Sequence, residues 1–208
     1  TKGYEELLKV WRELQHTPNT KRFLFSFFFY SAGVQTVIYL ASTFAEKELD
    51  FGTSELILII LILQLVAIGG AYLFAWLSDI TTNKTSLSTM ILIWIGICVG
   101  AHFVESKLAF YFLSAGVGMV LGGIQSLSRS SYSKLVPVDT RDMTSYFSFY
   151  DVMYKCSIIA GTFSFGIVDQ LTGNMRYSVL VLGLFFVVGL VLLRMTQFDI
   201  PKKIEERY

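Results

Sequence analysis

The sequence predicts an all-α integral membrane protein in which a short amphipathic helix precedes six transmembrane helices. Hydrophobic residues make up 53% of the 208-residue chain, and its mean hydropathy of +0.56 is too apolar for an ordinary soluble domain. Six runs contain few or no charged residues, and each is about long enough to cross a ~30 Å hydrocarbon core as a helix. These runs are Phe23–Ala45, Leu56–Leu77, Leu87–Val104, Leu108–Leu127, Tyr146–Val168 and Tyr177–Leu193.

The segment before the first run is amphipathic. Its apolar residues recur at helical spacing and are Tyr4, Leu7, Leu8, Trp11 and Leu14. Charged residues occupy the other side, which predicts a short helix. We expect this helix either to lie at the membrane surface, with Trp11 at headgroup depth, or to dock on a partner. The predicted organisation is a linker over residues 1–20, a six-helix domain over 21–195 and a cytoplasmic tail over 196–208.

The basic residues predict the orientation of the chain in the membrane. Thirteen of the 17 lie before the first run, after the last run, or in the connections on that same side. The connections on the other side contain three, which are Lys47, Lys107 and Arg176. Because Lys and Arg favour cytoplasmic loops, we expect both termini to be cytoplasmic. The formal net charge of +1 gives no reason to expect nucleic-acid binding.

A polar stripe follows one side of the first predicted helix. Its members, at i, i+4, i+8 and i+11, are Ser31, Gln35, Tyr39 and Ser42. Such a stripe is unfavourable against lipid, so it should line either a helix contact or a hydrated cavity. Gln64 in the second run and Gln125 near the end of the fourth are weaker signals of the same kind. Their amides are suited to a neutral or zwitterionic solute, and equally to bridging two helices.

Small residues recur every four positions in two of the runs. They are Ala67, Ala71 and Ala75 on the second run, and Ser114, Gly118 and Gly122 on the fourth. Rows of this kind let helix backbones approach closely within lipid. We therefore expect these rows to be helix contacts.

Asp151 and Lys155 lie four residues apart near the start of the fifth run, and no other charged residue falls inside a run. A charge in hydrocarbon is unfavourable and usually faces a bundle interior or a watery cavity. Opposite charges at i and i+4 can neutralise each other on one helical face. Alternatively, the pair takes part in gating, proton coupling or substrate binding, with Asp151 exchanging Lys155 for Arg129 or Arg141 as the bundle moves.

No pattern in the sequence indicates an enzyme, a metal site or a cofactor site. The chain has no phosphate-binding glycine-rich loop and no Ser/His/Asp or Cys/His arrangement. Cys98 and Cys156 both fall inside apolar runs, and we expect both to be buried packing residues. Without a nucleotide site, transport by this chain would be driven by a gradient or be facilitated.

The segment Ala75–Asp79, followed by Lys84, resembles the cytoplasmic loop motif of the major facilitator superfamily. That motif joins the second and third helices of each six-helix half. Here alanine replaces the usual glycine at the first position, and residues 80–83 replace most of the basic tail. The resemblance implies that Asp79 caps a neighbouring helix or pairs with a cation, and Arg129 is the expected partner.

Three further segments resemble the C-terminal half of the vacuole-effluxer branch of that superfamily. They are Gly122–Pro137, Phe147–Val152 and Gly161–Gly166, and the resemblance extends from about Lys21 to Met195. The best-known members of the branch are autophagy-related vacuolar amino-acid effluxers, and many relatives are bacterial. Full members have twelve helices in two halves with the substrate cavity between them. The resemblance therefore implies one half, with the first run lining the cavity.

The expected function is half of a secondary active transporter that moves a small polar solute, with amino acids as the first candidate, by alternating access. Its expected partners are membrane lipid and the N-terminal six-helix half of the same transporter, with a homodimer possible if this half is expressed alone. The expected location is the bacterial cytoplasmic (inner) membrane. The alternative is a non-transporting membrane module for binding or dimerisation.

Overall fold

A computed structural model describes residues 2–137 and 143–198 of the chain. These residues form seven α-helices and no strand. The helices are α1 Lys2–Leu14, α2 Pro18–Leu49, α3 Thr53–Ile80, α4 Asn83–Phe103, α5 Lys107–Leu135, α6 Met143–Thr172 and α7 Met175–Met195. Helices α2 to α7 are each long and apolar enough to cross a membrane. The prediction of six spans after a short amphipathic helix is therefore confirmed.

The polar residues from Arg129 to Leu135 belong to α5, and α6 begins at Met143. The Ser133 hydroxyl is satisfied inside the helix, where it donates to the carbonyl of Ser130 at 2.8 Å. Local polarity therefore does not end α5. Arg141, one of the expected partners of Asp151, lies outside the described residues.

The six spans alternate in direction, so the bundle has two distinct ends. The terminal end contains the starts of α2, α4 and α6 together with the final turns of α3, α5 and α7. Here the Thr20 hydroxyl donates to the carbonyl of Leu135 at 2.7 Å, and the amide N–H of Gln197 donates to Asn19 at 3.2 Å. The opposite end contains the α2–α3, α4–α5 and α6–α7 connections. Helix α2 lies centrally, between α7 and α6.

Helices α3 and α5 approach closely at Gly70, which faces Met119, and at two of the small residues that the sequence singled out. A Cβ atom added to Gly122 would lie 2.8 Å from the Ala67 carbonyl oxygen, and one on Gly118 would lie 2.7 Å from that of Leu63. Any larger side chain there would push the two helices apart. The rest of α3 is largely exposed, and Leu65 is 71% exposed. Helix α3 therefore presents an apolar face suited to lipid.

Helix α1 packs on its own bundle at the terminal end. Val10 and Leu14 are buried, and the Trp11 ring stacks on Phe149 of α6 with centroids 6.1 Å apart. The hydroxyl of Tyr146 donates to the Glu13 carboxylate at 2.9 Å. Helix α1 therefore packs on the bundle of its own chain, and both expectations for it, a position at the membrane surface and docking on a partner, stay predictions.

The two cysteines differ in their surroundings. Cys98 is buried in the helical core, as expected, whereas Cys156 is exposed. The prediction for Cys156 was wrong because α6 turns that face outward. Hydropathy alone does not distinguish a lipid-facing or partner-facing side from a packed one.

Candidate functional site

A cavity of about 260 Å³ opens between α2, α5 and α6. Its lining contains five of the residues that the sequence proposed as site residues, which are Ser31, Gln35, Gln125, Arg129 and Asp151. The other lining residues are Phe27, Tyr30, Val34, Ile124, Ser128, Tyr150 and Tyr154. The structure therefore gathers side chains from three helices and from positions more than 100 residues apart in the sequence.

Three polar side chains face this cavity with unused hydrogen-bonding capacity. Ser31 and Gln35 lie one turn apart on α2 and are 4% and 5% exposed, and Gln125 lies on α5. Within residues 2–137 and 143–198, none of the three side chains makes a hydrogen bond. A polar group withdrawn from water without a partner is unfavourable. Water or a bound solute is the natural partner for these groups.

A hydrogen bond between α2 and α5 forms one wall of the cavity. The Tyr30 hydroxyl lies 2.7 Å from the Ser128 hydroxyl, and both residues are buried. Ser128 donates to the Ile124 carbonyl of its own helix, so Tyr30 donates to Ser128. Sequence reasoning missed both residues. Tyr30 adjoins the polar stripe and Ser128 follows Gln125 by three residues, which places it on the same face of α5.

Aromatic rings form the α6 side of the cavity. Phe27 stacks on Tyr150 with centroids 4.1 Å apart and lies 6.3 Å from the ring of Tyr154. Tyr132 stacks behind Tyr150 at 5.0 Å. The sequence analysis also missed this wall, although Tyr150 and Tyr154 share a face of α6 at i and i+4. The wall supplies an apolar surface beside the amides of α2 and α5.

Arg129 and Asp151 lie at the terminal side of the cavity. Their charged groups are 3.9 Å apart, and their side chains are 59% and 53% exposed. Arg129 also lies over the ring of Phe147, 5.3 Å from its centroid. An exposed pair of this kind contributes no more than about 1 kcal/mol. Because the pair is long and solvated, it can separate with little loss of stability.

The expectation that Asp151 and Lys155 neutralise each other is wrong. No ion pair joins them in the part of the chain that the structure describes, and Lys155 is exposed. Asp151 turns toward α5 and meets Arg129, whereas Lys155 projects from a neighbouring side of α6. Spacing at i and i+4 permits a pair on one helix but does not outweigh a partner on an adjacent helix.

Asp79 does not pair with Arg129, contrary to expectation. Its side chain is exposed, and no ion pair or hydrogen bond of this carboxylate occurs among the described residues. Arg129 is occupied by Asp151 instead. The segment that replaces the usual basic tail of the motif ends in Asn83, and an amide there favours neutral hydrogen bonds over a charge network.

Asn83 joins the α3–α4 turn to α5. Its side-chain oxygen accepts from the Ser78 hydroxyl at 2.7 Å and from the Lys134 ammonium at 3.1 Å, and its amide nitrogen donates to Ser131 at 3.2 Å. Lys84 ties the same turn to α7 by donating to the carbonyl of Thr196 at 2.6 Å. Sequence reasoning gave Asn83 no role. These contacts hold α3, α4, α5 and α7 together at the terminal end.

Four proposed site residues lie outside the cavity lining: Asp79, described above, and three others. Gln64 is exposed on α3, Tyr39 is 57% exposed one turn beyond Gln35, and Lys155 lies beside the lining on α6. Within the described ranges, no group of three or more His, Cys, Asp and Glu residues could hold a metal ion.

Comparison with known proteins identifies the family. The family described as "Vacuole effluxer Atg22 like" matches residues 1–206. The chain belongs to the Atg22-like vacuole effluxer family. It is 37% identical over 171 residues to the Bacillus subtilis protein named "Uncharacterized MFS-type transporter YxiO", a match that covers 82% of this chain and 39% of that protein.

Fungal members of this family are similar to the chain over nearly the same length. Autophagy-related protein 22 is 30% identical over 195 residues in Kluyveromyces lactis and 27% identical over 187 residues in Saccharomyces cerevisiae. These matches cover 87% and 85% of this chain but 39% and 35% of the relatives. The chain therefore spans less than two fifths of the length of these relatives.

The fold is that of the major facilitator superfamily. The chain superimposes on the crystal structure of the Escherichia coli fucose:proton symporter FucP with a TM-score of 0.73, covering 88% of this chain and 45% of the symporter. At 18% identity this likeness shows the fold alone. The predicted family and the all-α membrane fold are confirmed. The name of the Bacillus relative agrees with the prediction of a transporter rather than an enzyme.

Proposed function

We propose that the chain is one six-helix half of a secondary active transporter for a small polar solute, and that the cavity between α2, α5 and α6 is its share of the binding site. The observation that supports this most strongly is the convergence of Ser31, Gln35 and Gln125, none of which is hydrogen-bonded within the described residues. Ser31 and Gln35 are buried at the cavity wall and Gln125 is exposed beside it, so all three can bond to water or to a solute in the cavity.

The cavity chemistry favours a small solute with both donors and acceptors. The amides of Gln35 and Gln125 offer each, and Phe27, Tyr150 and Tyr154 add an apolar wall. At about 260 Å³, this half of the site is close to the lower limit of roughly 300 Å³ for a ligand pocket. A second six-helix half facing it would enlarge and close it. Amino acids, which combine polar ends with side chains of varied polarity, are the first candidates.

The contacts around the cavity have a role in alternating access. The Arg129–Asp151 pair lies between the cavity and the terminal end and is long enough to exchange partners as the halves move. We further propose that the termini face the cytoplasm and that the membrane is the bacterial cytoplasmic membrane, because basic residues concentrate at the terminal end. The missing half of the site is the N-terminal half of the same transporter.

The test is uptake and efflux of a labelled amino-acid panel in proteoliposomes. The chain alone is compared with the two-half transporter, in which the chain is joined to its N-terminal half. We expect transport only by the two-half form, because the cavity of a single half is open on one side. Gln35→Ala should lower uptake, whereas the matched control Gln64→Ala, on the exposed side of α3, should leave it unchanged.

Two outcomes would contradict this proposal. Transport by the chain alone would indicate a functional homodimer instead of a half-transporter. No transport by either form, with Gln35→Ala and Gln64→Ala indistinguishable in every assay, would favour a non-transporting binding or dimerisation module.

A further inference from the structure

Lys155 lies deep within a membrane-spanning helix. Helix α6 has 30 residues, so it is about 45 Å long and Lys155 lies about 18 Å from its terminal end. A ~30 Å hydrocarbon core centred on this helix places Lys155 roughly 10 Å inside the apolar layer. Lysines near helix ends can reach the headgroups, but Lys155 is about three turns from the end. Its ammonium group therefore needs an anion or a hydrated space.

The chain supplies no anion for Lys155 among the described residues. Asp151, one turn away, is paired with Arg129 at 3.9 Å. The other ion pairs of the described residues join Glu55 to Lys107 and Glu48 to Arg176 at the opposite end. Lys155 therefore makes no ion pair with the described residues, and its exposed side chain is open to water or to an anion from outside them.

Lys155 lies at the edge of the face of α6 that lines the cavity. Tyr150, Asp151 and Tyr154 line the cavity, while Val152 and Ile159 are exposed. At 3.6 residues per turn, Lys155 lies between these two sides of the helix. Measured from the terminal end, Lys155 at about 18 Å has nearly the same depth as Ser31 at about 20 Å and Gln125 at about 15 Å. The cation is thus level with the unpaired polar groups of the cavity.

We propose that Lys155 binds the carboxylate of the transported solute and so determines which solutes the cavity accepts. This inference rests on the proposed function. The carboxylate neutralises the ammonium in a low-dielectric site, where a charge-assisted hydrogen bond is stronger than in water. The amides of Gln35 and Gln125 then take the neutral polar part of the solute. Lys155 would be a specificity-determining residue.

The test compares a labelled amino acid with its primary amide, in which a neutral carboxamide replaces the carboxylate, in proteoliposomes of the two-half transporter. Lys155→Met should raise KM for the acid roughly tenfold or more, because a hydrogen bond to a charged group is lost, and should leave KM for the amide within about twofold. Lys155→Arg keeps the charge and should retain most of the affinity. Lys47→Met, an exposed lysine at the opposite end, is the matched control and should change neither KM.

The alternative partner of Lys155 is a carboxylate of the facing half of the transporter. The same experiment distinguishes this partner from the solute. In that case Lys155→Met lowers Vmax for the acid and the amide equally while both KM values stay constant, which overturns the inference. Transport by the wild-type protein with no change in KM for the acid on Lys155→Met would also overturn it while leaving the proposed function intact. Absence of any wild-type transport would instead count against the proposed function itself.

A second readout does not require turnover. Lys155→Cys in a Cys156→Ser background should react with a charged, membrane-impermeant thiol reagent, and the acid should slow the reaction where its amide does not. Lack of reaction at position 155 would show that the side chain faces lipid or a dry contact, which overturns the inference.

Discussion

The two ends of the bundle are held together by different kinds of contact. At the opposite end, Arg176 pairs with Glu48 at 3.1 Å and also donates to the carbonyls of His102 and Val104, which joins α7 to α2 and α4. At the terminal end, charged side chains bond to neutral groups, as Lys134 does to Asn83 and Lys84 to the carbonyl of Thr196, and the ion pair nearest the cavity is the 3.9 Å contact described above. The opposite end is therefore held by a close ion pair within this half, whereas the ion pair beside the cavity is long and adjustable.

The interior of the bundle also differs between its two ends. Toward the opposite end, the space between the helices is small, about 60 Å³, and is lined almost wholly by apolar residues such as Phe44, Val117 and Leu182. The larger polar cavity lies nearer the terminal end. A transporter half that rocks during alternating access requires one end that stays closed and dry and another end that can open. Motion about the apolar, ion-paired end would open and close the polar cavity near the terminal end.

The largest loss of stability is expected for Arg176→Met. The side chain is only 19% exposed and bonds to one carboxylate and two carbonyls, so its removal leaves several polar groups unpaired. We expect a loss of about 2–4 kcal/mol. Thermal unfolding in detergent checks this, with Arg194→Met, whose side chain is exposed at the terminal end, as the control. Equal effects of the two changes would contradict the description of the opposite end as the clamped one.

A smaller loss is expected for Asn83→Ala. The substitution removes hydrogen bonds to Ser78, Ser131 and the Lys134 ammonium at a partly buried site, which should cost about 1–2 kcal/mol. Thr89→Ala is the control, since its hydroxyl bonds only to its own helix. Stability is again read from thermal unfolding. A loss exceeding that of Arg176→Met would reverse the order of the two ends.

The smallest stability effect is expected at the pair beside the cavity. Arg129→Met and Asp151→Asn should each change unfolding by less than about 1 kcal/mol, because both side chains are more than half exposed. Solute transport by the two-half form should nevertheless fall, since the pair lies at the cavity. A double-mutant cycle measures both quantities. Strong coupling in stability with unchanged transport would indicate a structural clamp.

The helices and their small-residue contacts could be predicted because they depend on local chemistry. Apolar runs of membrane length give the spans, and Gly118 and Gly122 lie at the contact where α5 meets α3. The polar stripe of α2 was also identified correctly in part, since Ser31 and Gln35 both line the cavity. These features require no knowledge of which helix lies beside which.

The partners of individual residues could not be predicted, because they depend on which helices are neighbours and how these are oriented. Whether Asp151 meets Lys155 or Arg129 depends on how α5 and α6 are rotated about their axes, and spacing along one helix does not contain that information. The same holds for Gln64 and Gln35, which look equivalent in the sequence although one is exposed and the other faces the cavity. The tyrosines of the cavity were missed because aromatic residues in apolar runs are usually packing residues.

The most direct test of the cavity as the solute path is water access at single cysteines. In a background with Cys98→Ala and Cys156→Ser, the two-half transporter carries either Gln35→Cys or Leu65→Cys and is treated with a charged, membrane-impermeant thiol reagent. We expect labelling at position 35, slowed by a transported solute, and no labelling at position 65 on the lipid-suited face of α3. Labelling at 65 without labelling at 35 would contradict the placement of the solute path between α2, α5 and α6.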